Sequence, residues 1–379
     1  MFLRNMSIYR LSRKLGIADL NELERVLARR TYRELAPNEF GCDGFVPPMP
    51  RYRGTHALIV GRSELQWHSD FDPLEFNNDE PFMFEGFGSP NDALVLAFYR
   101  EEKAVMAADV KRRLNKRVSE IEEEEGRKVY MKERSELKQS ITMKLLPGLQ
   151  ARYWQVPIVI FSNGLVIVGE VGKKAEMALS ELRNLLGTFP VVPVGPKDPV
   201  PTVLTRLARM QPDDCEHGDE MFNFKVADDF QFQELEEHPA IARMKNTDVT
   251  QDEVQGLLNH KVMTHANLSW KDGDITLKLD PKFAIRKMRV SDAAFEAIAG
   301  SQEDDEDLVG ATYASAMIEH DLVMQMLKDL YQLFGGENVA TLGGDEEAKE
   351  MPLILKNFDF LAQSAEPSDG DADQGEGEP

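Results

Sequence analysis

Several segments alternate apolar and polar residues, which is the period-2 pattern of a half-buried β-strand. In the first of them, NMSIYRLSR, the apolar positions are Met6, Ile8 and Leu11. Similar patterns predict strands in THALIVGR, DALVLAFYR, EMFNFKVADDFQFQEL and HANLSWKDGDITLKLDPKFAIRKMRV, and a strand edge in FPVVPV. In VPIVIFSNGLVIVGEV the pair Asn163-Gly164 separates two apolar runs, and this dipeptide strongly predicts a β-hairpin turn.

Other segments repeat apolar residues every three or four positions, which predicts amphipathic helices. ADLNELERVLARR carries four of them on one face: Leu20, Leu23, Val26 and Leu27. KKAEMALSELRNLLG should form a helix that ends at Gly187. TQDEVQGLLNHK should form one with Thr250 as its N-cap and Glu253 completing a capping box. Residues 308–334 should form another.

The longest helical pattern runs most clearly from 101 to 146. Its first part has a narrow apolar stripe made of Val110, Leu114, Val118 and Ile121. The run EEEEG should end this helix at Gly126. A second helix carries Leu137, Ile141 and Leu145 at a spacing of four, and Pro147 stops it. We therefore predict an antiparallel helical arm that buries little of its surface.

Together these elements predict an α+β fold with mixed antiparallel sheets, helices and a projecting helical arm. We divide the chain into an N-terminal α+β region (1–100, with an insertion at 66–90), the cationic arm (101–152), a central α+β region (153–235), a C-terminal α+β region (236–340) and an acidic tail (341–379). The insertion is rich in aromatic and acidic residues, so we expect a long loop there. The composition from about 364 onward predicts disorder.

Charge is distributed unevenly along the 379 residues. The formal net charge is −22 and the pI is near 4.8, which argues against a protein that simply coats itself in nucleic acid. Acidic residues concentrate late, at 303–307, 344–350 and 366–379. In contrast, residues 100–154 hold 14 Lys and Arg against 10 Asp and Glu, and residues 1–35 hold eight against four. We predict a cationic inner surface and an anionic outer one.

The chain has two cysteines, Cys42 and Cys215, too few for a disulfide framework and compatible with a reducing compartment. It contains no apolar run of 18 residues, and its start, MFLRNMSIYRLSRK, is too charged for a signal peptide. We expect a soluble cytoplasmic protein with no membrane partner.

Five strings of the sequence resemble the RdgC family of recombination-associated proteins, in the same order along the chain. They are NMSIYRLSR, GFVPPM, KLLPG, NGLVIVGEVGKKAEMALSELRNLLGTFPVVPV and KNTDVTQDEVQGLLNHKVMT. The resemblance covers roughly residues 1–65 and 90–300, so the chain looks like a divergent member.

The resemblance implies a fold like that of the family and binding to double-stranded DNA without sequence preference. Members of the family form head-to-head dimers that close into a ring around the duplex, and they restrain the RecA recombinase. The implied protein is a nucleoid-associated homodimer without a cofactor. The cations of the arm would then line the hole of the ring, and the net negative charge would belong to its outer surface.

The candidate DNA-binding residues are cations that would contact phosphates. The first set, in KRRLNKR, is Lys111, Arg112, Arg113, Lys116 and Arg117. The second set follows in the next helix: Arg127, Lys128, Lys132, Arg134, Lys138 and Lys144. The alternative interpretation is a solvated helix face with no partner. Lys173 and Lys174 are at the start of a further helix, whose N-terminus favours anions. The alternative is that they are ordinary surface lysines without a ligand.

The string ARYWQ supplies Arg152 and Tyr153 at the end of the arm. These residues either contact the nucleic acid or, together with Trp154, anchor the arm to the core. The family has an aromatic residue three positions after the LLP string that is important for DNA binding, and here that position is Gln150.

A second departure lies near Asp248. The family has a Lys-Gln pair immediately before this aspartate, whereas this chain has Asn246 and Thr247 there, with Lys245 one position earlier. We include Lys245 among the candidates for DNA contact.

Two other functions remain open. A metal-dependent DNA exonuclease would need converging carboxylates, but no strand-borne Asp is followed by a Glu-x-Lys triplet. Cys215-x-His217 is too sparse for zinc, and neither a P-loop nor a GxSxG motif occurs, so we predict no metal site. The remaining alternative is an acidic protein that regulates a recombination enzyme by direct contact.

Overall fold

The computed structural model describes residues 3–12, 20–48, 56–60, 93–161, 164–211, 219–234, 240–299 and 308–338. The predicted insertion at 66–90 and the predicted tail at 341–379 lie outside these residues. None of the described helices is both long and apolar enough to cross a membrane.

The described residues form twelve strands and eight helices, which confirms the predicted α+β class. The strands are β1 (Ser7–Leu11), β2 (Gly41–Val46), β3 (Ala57–Val60), β4 (Ala93–Glu102), β5 (Arg152–Phe161), β6 (Leu165–Val168), β7 (Val191–Pro193), β8 (Phe224–Gln233), β9 (Ile241–Met244), β10 (Val262–Trp270), β11 (Ile275–Leu279) and β12 (Ile285–Val290). The helices are α1 (Leu20–Ala28), α2 (Ala107–Glu125), α3 (Met131–Leu145), α4 (Lys173–Leu186), α5 (Val200–Met210), α6 (Asp252–Leu257), α7 (Asp292–Ala299) and α8 (Leu308–Leu333).

The strands build two antiparallel sheets. The first has the order β2-β4-β5-β6-β1-β7, and β3 also pairs with β4. The second has the order β12-β11-β10-β8-β9. The first sheet joins strands from both the 1–100 and the 153–235 regions, while the predicted division into five regions stays a prediction.

Alternating side chains of the first sheet enter two different cores because both of its faces are covered. In β5, Ile158 and Ile160 pack with residues of α1 and α4, whereas Val159 and Phe161 pack toward the second sheet, α5 and α8. We call these two sheets with their covering helices the body.

Helices α2 and α3 form the arm, which is inserted between β4 and β5. The four predicted stripe residues are the buried residues of α2, α3 has none, and neither body core includes them. Gly126 caps α2 with φ +63°, and its N–H donates to the carbonyl of Glu122 at 3.1 Å. The predicted start at 101 is wrong, because β4 continues to Glu102 and α2 begins at Ala107.

The predicted helix ends are otherwise confirmed at Gly187 and, within one residue, at 334. Strands β5 and β6 form the predicted hairpin; Asn163 lies outside the described residues. The capping box is wrong, because the residue before α6 is Gln251 and makes no side-chain cap. The hydroxyl and N–H of Thr250 both donate to Oδ1 of Asp248, each at 2.9 Å, so Thr250 belongs to a turn that precedes the helix.

Candidate nucleic-acid interface

The five cations of KRRLNKR all lie on the exposed surface of α2. Long-chain residues favour the helix, and the buried stripe of α2 packs against α3. Because an α-helix turns about 100° per residue, Arg112 and Lys116 lie roughly opposite the stripe. By the same geometry Lys111 and Arg117 flank it, so the cations cover most of the solvent-facing circumference.

Charge on the arm is polarised along its length. The basal half, residues 107–119 and 137–145, carries seven Lys and Arg against one Asp. The tip half, residues 120–136, carries four Lys and Arg against seven Glu. Sequence reasoning missed this polarity, although EEEE directly after KRRLNKR is its signal. Positive potential is therefore concentrated where the arm joins the first sheet.

Ion pairs divide the predicted cations into two groups. Arg112 pairs with Asp109 and Arg117 with Glu120, each at 3.0 Å. The hydrogen bond to Glu120 raises the pKa of Arg117 above its usual value. These arginines already have a carboxylate partner before any ligand arrives.

Arg127 is the most strongly paired cation of the arm. Its guanidinium donates to both carboxylate oxygens of Glu133, at 2.7 and 2.9 Å, and to Glu125 at 2.6 Å. The hydrogen bond to Glu133 is the main reason that the pKa of Arg127 rises. Its geometry holds the turn between α2 and α3, so we assign it a structural role ahead of DNA contact.

Seven predicted cations of the arm have no ion pair with a carboxylate of the described residues. They are Lys111, Arg113, Lys116, Lys128, Lys132, Lys138 and Lys144. Arg134 belongs to neither group, since it donates to Oδ1 of Asn115 at 2.9 Å across the two helices. Five of the seven unpaired cations lie in the basal half.

A groove of about 720 Å³ runs between α2 and α3 from the base of the arm to its middle. Its apolar lining includes Phe40, Val105, Leu114 and Met131, and its cationic rim is formed by Lys111, Arg134 and Lys138. Phe40 is 50% exposed and Met131 is 85% exposed. No local pattern predicted that Phe40, which precedes β2, would face the arm.

The two aromatic residues of ARYWQ take different roles because neighbouring strand residues point to opposite faces. Trp154 packs toward α1 and α4, with its ring 5.8 Å from that of Phe98. Tyr153 lies on the other face, 72% exposed, and stacks on Tyr99 at 5.9 Å with an interplanar angle of 19°. Burial and a hydrogen bond to Glu101 raise the pKa of Tyr99 to about 12.

The stacked pair of the half-buried Tyr99 and the exposed Tyr153 thus forms an aromatic platform at the base of the arm, while the exposed Arg152 points to the opposite face of the sheet. Tyr32 adds a third ring, edge-on to Tyr99 at 4.5 Å. Gln150, which stands where the family has an aromatic residue, is exposed and lies three residues before Tyr153. Trp154 therefore packs within the body, and Tyr153 remains available for contact.

Three predicted cations lie away from this platform. Lys173 and Lys174 start α4, and Nζ of Lys174 lies 5.3 Å from the centre of the Trp154 ring and 3.1 Å from Glu170. Lys174 therefore belongs to the face of the sheet opposite Tyr153. Lys245 follows β9 in the second sheet and is exposed.

Among the described residues, no three His, Cys, Asp or Glu side chains are grouped so that they could hold a metal ion. The described carboxylates of the arm instead pair with arginines of the arm or face solvent. Cys215 and His217 lie outside the described residues.

Comparison with known proteins finds one family over most of the described chain. A family described as "Putative exonuclease, RdgC" matches residues 81–337. The recombination-associated protein RdgC of Pseudomonas aeruginosa is 29% identical over 342 residues, covering 89% of this chain and 99% of the relative. The protein of the same name from Pseudomonas syringae pv. tomato shows the same identity and coverage. That of Pseudomonas fluorescens is 29% identical over 318 residues, covering 83% of this chain and 91% of the relative.

Proposed function

The chain belongs to the RdgC family, and on this premise we propose that it acts in homologous recombination as a double-stranded DNA-binding protein without sequence preference. The relatives that it matches are named recombination-associated proteins. The observation that carries the proposal is the composition of the basal half of the arm. It contains seven Lys and Arg residues and only one Asp, in a chain of net charge −22.

Phosphate contact explains this arrangement better than solubility alone. A solvated face needs no segregation of charge, yet the arm separates a cationic base from an acidic tip. Each Lys or Arg that neutralises a phosphate releases counterions, which supplies affinity without base recognition. The exposed Tyr153 lies where the arm joins the first sheet and extends this surface onto the sheet.

We further propose that two copies assemble into a ring-like homodimer around the duplex. Helix α3 buries none of its residues within one chain, and outside the groove, which Met131 lines, the arm exposes three further apolar side chains: Met106, Tyr130 and Met143. A second copy related by a two-fold axis would cover such a surface on both arms. A ring that encloses the duplex would associate the protein with the nucleoid in the cytoplasm and restrain a RecA-type recombinase there.

Duplex binding is tested by a salt series on two unrelated sequences, using a matched pair of variants. R113Q/K116Q removes two unpaired cations, and R112Q/R117Q removes two paired ones from the same helix. If both unpaired cations contact phosphates, the slope of log affinity against log salt should flatten by about 0.9 per lost contact. R112Q/R117Q should change the slope less, because each of these arginines already pairs with a carboxylate of its own helix.

Affinity should fall alike for both sequences, because phosphate contacts carry no base information. A strong preference for one sequence, or an R113Q/K116Q variant with unchanged affinity and slope, would contradict the proposal. Sedimentation at micromolar concentration tests the dimer, and monomer alone, with and without DNA, would argue against the ring.

The description of the matching family names an exonuclease, so the same protein is incubated with end-labelled duplex in magnesium and in manganese. We expect no shortening of the duplex. Metal-dependent shortening that is lost on replacing particular carboxylates would establish the nuclease. A complex with the recombinase that forms equally well without DNA would favour regulation by direct protein contact.

A further inference from the structure

The groove between α2 and α3 is open and has the chemistry of a helix-binding site. Its lining is largely apolar and includes the exposed Phe40 and Met131, and its rim carries Lys111, Arg134 and Lys138. No described segment of the chain lies in it. Such a groove suits an amphipathic helix whose flanks are acidic.

The residues that follow the described structure have this chemistry. Residues 339–379 carry eleven Asp and Glu against two Lys. Within them Met351, Ile354, Phe358 and Leu361 are spaced three, four and three apart, which places them on one face of an α-helix. Three glutamates precede this stripe: Glu346, Glu347 and Glu350.

The described chain ends within reach of the groove. The N–H of Asn338 donates to the carbonyl of Gly195 at 2.8 Å, just beyond β7. Strand pairing puts Gly195 near the level of Ile158, three strands from β5 and six residues from Arg152. At about 3.3 Å per residue and about 4.8 Å per strand, the base of the arm is about 25 Å away. Residues 339–350, when extended, span about 40 Å.

We propose that residues 351–361 bind in the groove of their own chain as an amphipathic helix, with Ile354 and Phe358 on its floor. The preceding glutamates then pair with the cationic rim, and the six acidic residues of 366–379 lie along the cations of α2. The segment competes with duplex phosphates for that surface and lowers DNA affinity. This last consequence rests on the proposed function, whereas docking of the segment does not.

Docking is tested by cross-linking in the full chain. Ser135 lines the groove, so S135C/F358C should form a disulfide within one chain under mild oxidation, identified by peptide mass mapping. The matched control is S119C/F358C, because Ser119 is exposed on the side of α2 opposite its buried stripe. An equal yield from Ser119, or no link in either variant, would overturn the proposal. A mixture of the two single variants should give no link, and a link there would show that a second copy fills the groove.

The consequence for DNA is tested with I354D/F358D, which places two charges on the proposed binding face. We expect duplex affinity to rise at least about fivefold, the lower end of the usual coupling between linked sites. The control is L353D/F360D, which puts the same charges on the other face and should leave affinity nearly unchanged. Equal effects of the two variants would contradict competition by docking. If no variant binds DNA but the S135C/F358C link forms, the proposed function fails and the docking stands.

Discussion

Helices α2 and α8 are both long, but they bury their side chains in opposite ways. In α8, which has 26 residues, most described side chains lie in the body core, among them Val323, Leu327 and Leu330. In α2, which has 19 residues, only the four-residue stripe is buried, and every cation is exposed. A residue of α8 therefore acts mainly on stability, whereas a residue of α2 outside the stripe is available for a partner.

This difference separates two kinds of experiment. Substitutions of buried side chains in the body should change the free energy of unfolding of the whole protein, because one continuous core joins the two sheets and a second covers the other face of the first sheet. Substitutions on the arm, or of the exposed Phe40 and Tyr153 beside it, should change DNA binding or local opening and leave global stability nearly intact. Four measurements test this separation.

The largest effect should come from Phe161, whose side chain is 1% exposed in the core between the sheets. Replacing it with alanine should lower the free energy of unfolding by about 3–5 kcal/mol, because it leaves a cavity in a packed core. The control F40A removes the same ring from the 50% exposed Phe40 and should cost within about 0.5 kcal/mol. Similar denaturation midpoints for the two variants would contradict the distinction.

The next effect is a pH dependence centred on His320 of α8. Its ring is fully buried, neither nitrogen has a hydrogen-bond partner among the described residues, and burial lowers its pKa to about 4. The His320 ring therefore binds a proton more readily in the unfolded chain than in the folded one. As pH falls from about 6.5 to about 4, protonation of this ring makes the protein less stable. The loss should approach about 3 kcal/mol.

Chemical denaturation of the wild-type chain and H320L at several pH values measures this contribution as a difference. Above pH 7 the two should differ little in pH slope, and the wild-type chain should lose more stability below pH 6.5. Parallel pH profiles would show that His320 is accessible to protons in the folded protein.

A smaller and more local effect is expected for Leu114 in the stripe of α2. L114A should destabilise the packing of α2 on α3 by about 2 kcal/mol, the low end for such a change, because the neighbouring groove lets the site collapse. Hydrogen exchange should accelerate at 107–145 and stay unchanged in β4 and β5. Equal acceleration across the first sheet would mean that the arm and the body unfold together.

The smallest effect on stability should come from Tyr153, which is 72% exposed. Y153A should change the free energy of unfolding by within about 0.5 kcal/mol, yet weaken duplex binding without altering the salt slope, since no charge is lost. The adjacent variant W154A should do the reverse, because Trp154 packs in the body. An unchanged affinity in Y153A would remove the aromatic platform from the DNA-binding surface.

The sequence by itself determined much of this protein at short range. The alternation around Ile8 predicts β1, the stripe from Val110 to Ile121 predicts the buried face of α2, and Gly126 and Gly187 mark helix ends with positive φ. These features depend on side-chain periodicity and on the backbone freedom of glycine. Both are properties of a short window of residues.

Helical periodicity also placed eleven of the candidate cations on an arm, where they are exposed. Their pairing could not be predicted, because the three contacts of Arg127 depend on how the turn between α2 and α3 folds. The start of α2 at Ala107 was missed because a strand and a helix compete for the same charged residues after Tyr99. The predicted capping box is wrong because the hydroxyl and N–H of Thr250 both donate hydrogen bonds to Asp248 instead.

Only the tertiary structure decided which distant segments meet. Strand β1 lies between β6 and β7, more than 150 residues away along the chain. The packing of α4 on one face of this sheet brings Lys174 to Trp154, on the face opposite Tyr153. The packing of α8 likewise brings the ring of His320 to Phe161 of β5, with ring centres 6.0 Å apart. Periodicity predicts which face of a helix or strand is apolar. Which surface covers that face depends on packing across the whole chain. The packing therefore decides whether a residue contributes to stability or is exposed to a partner.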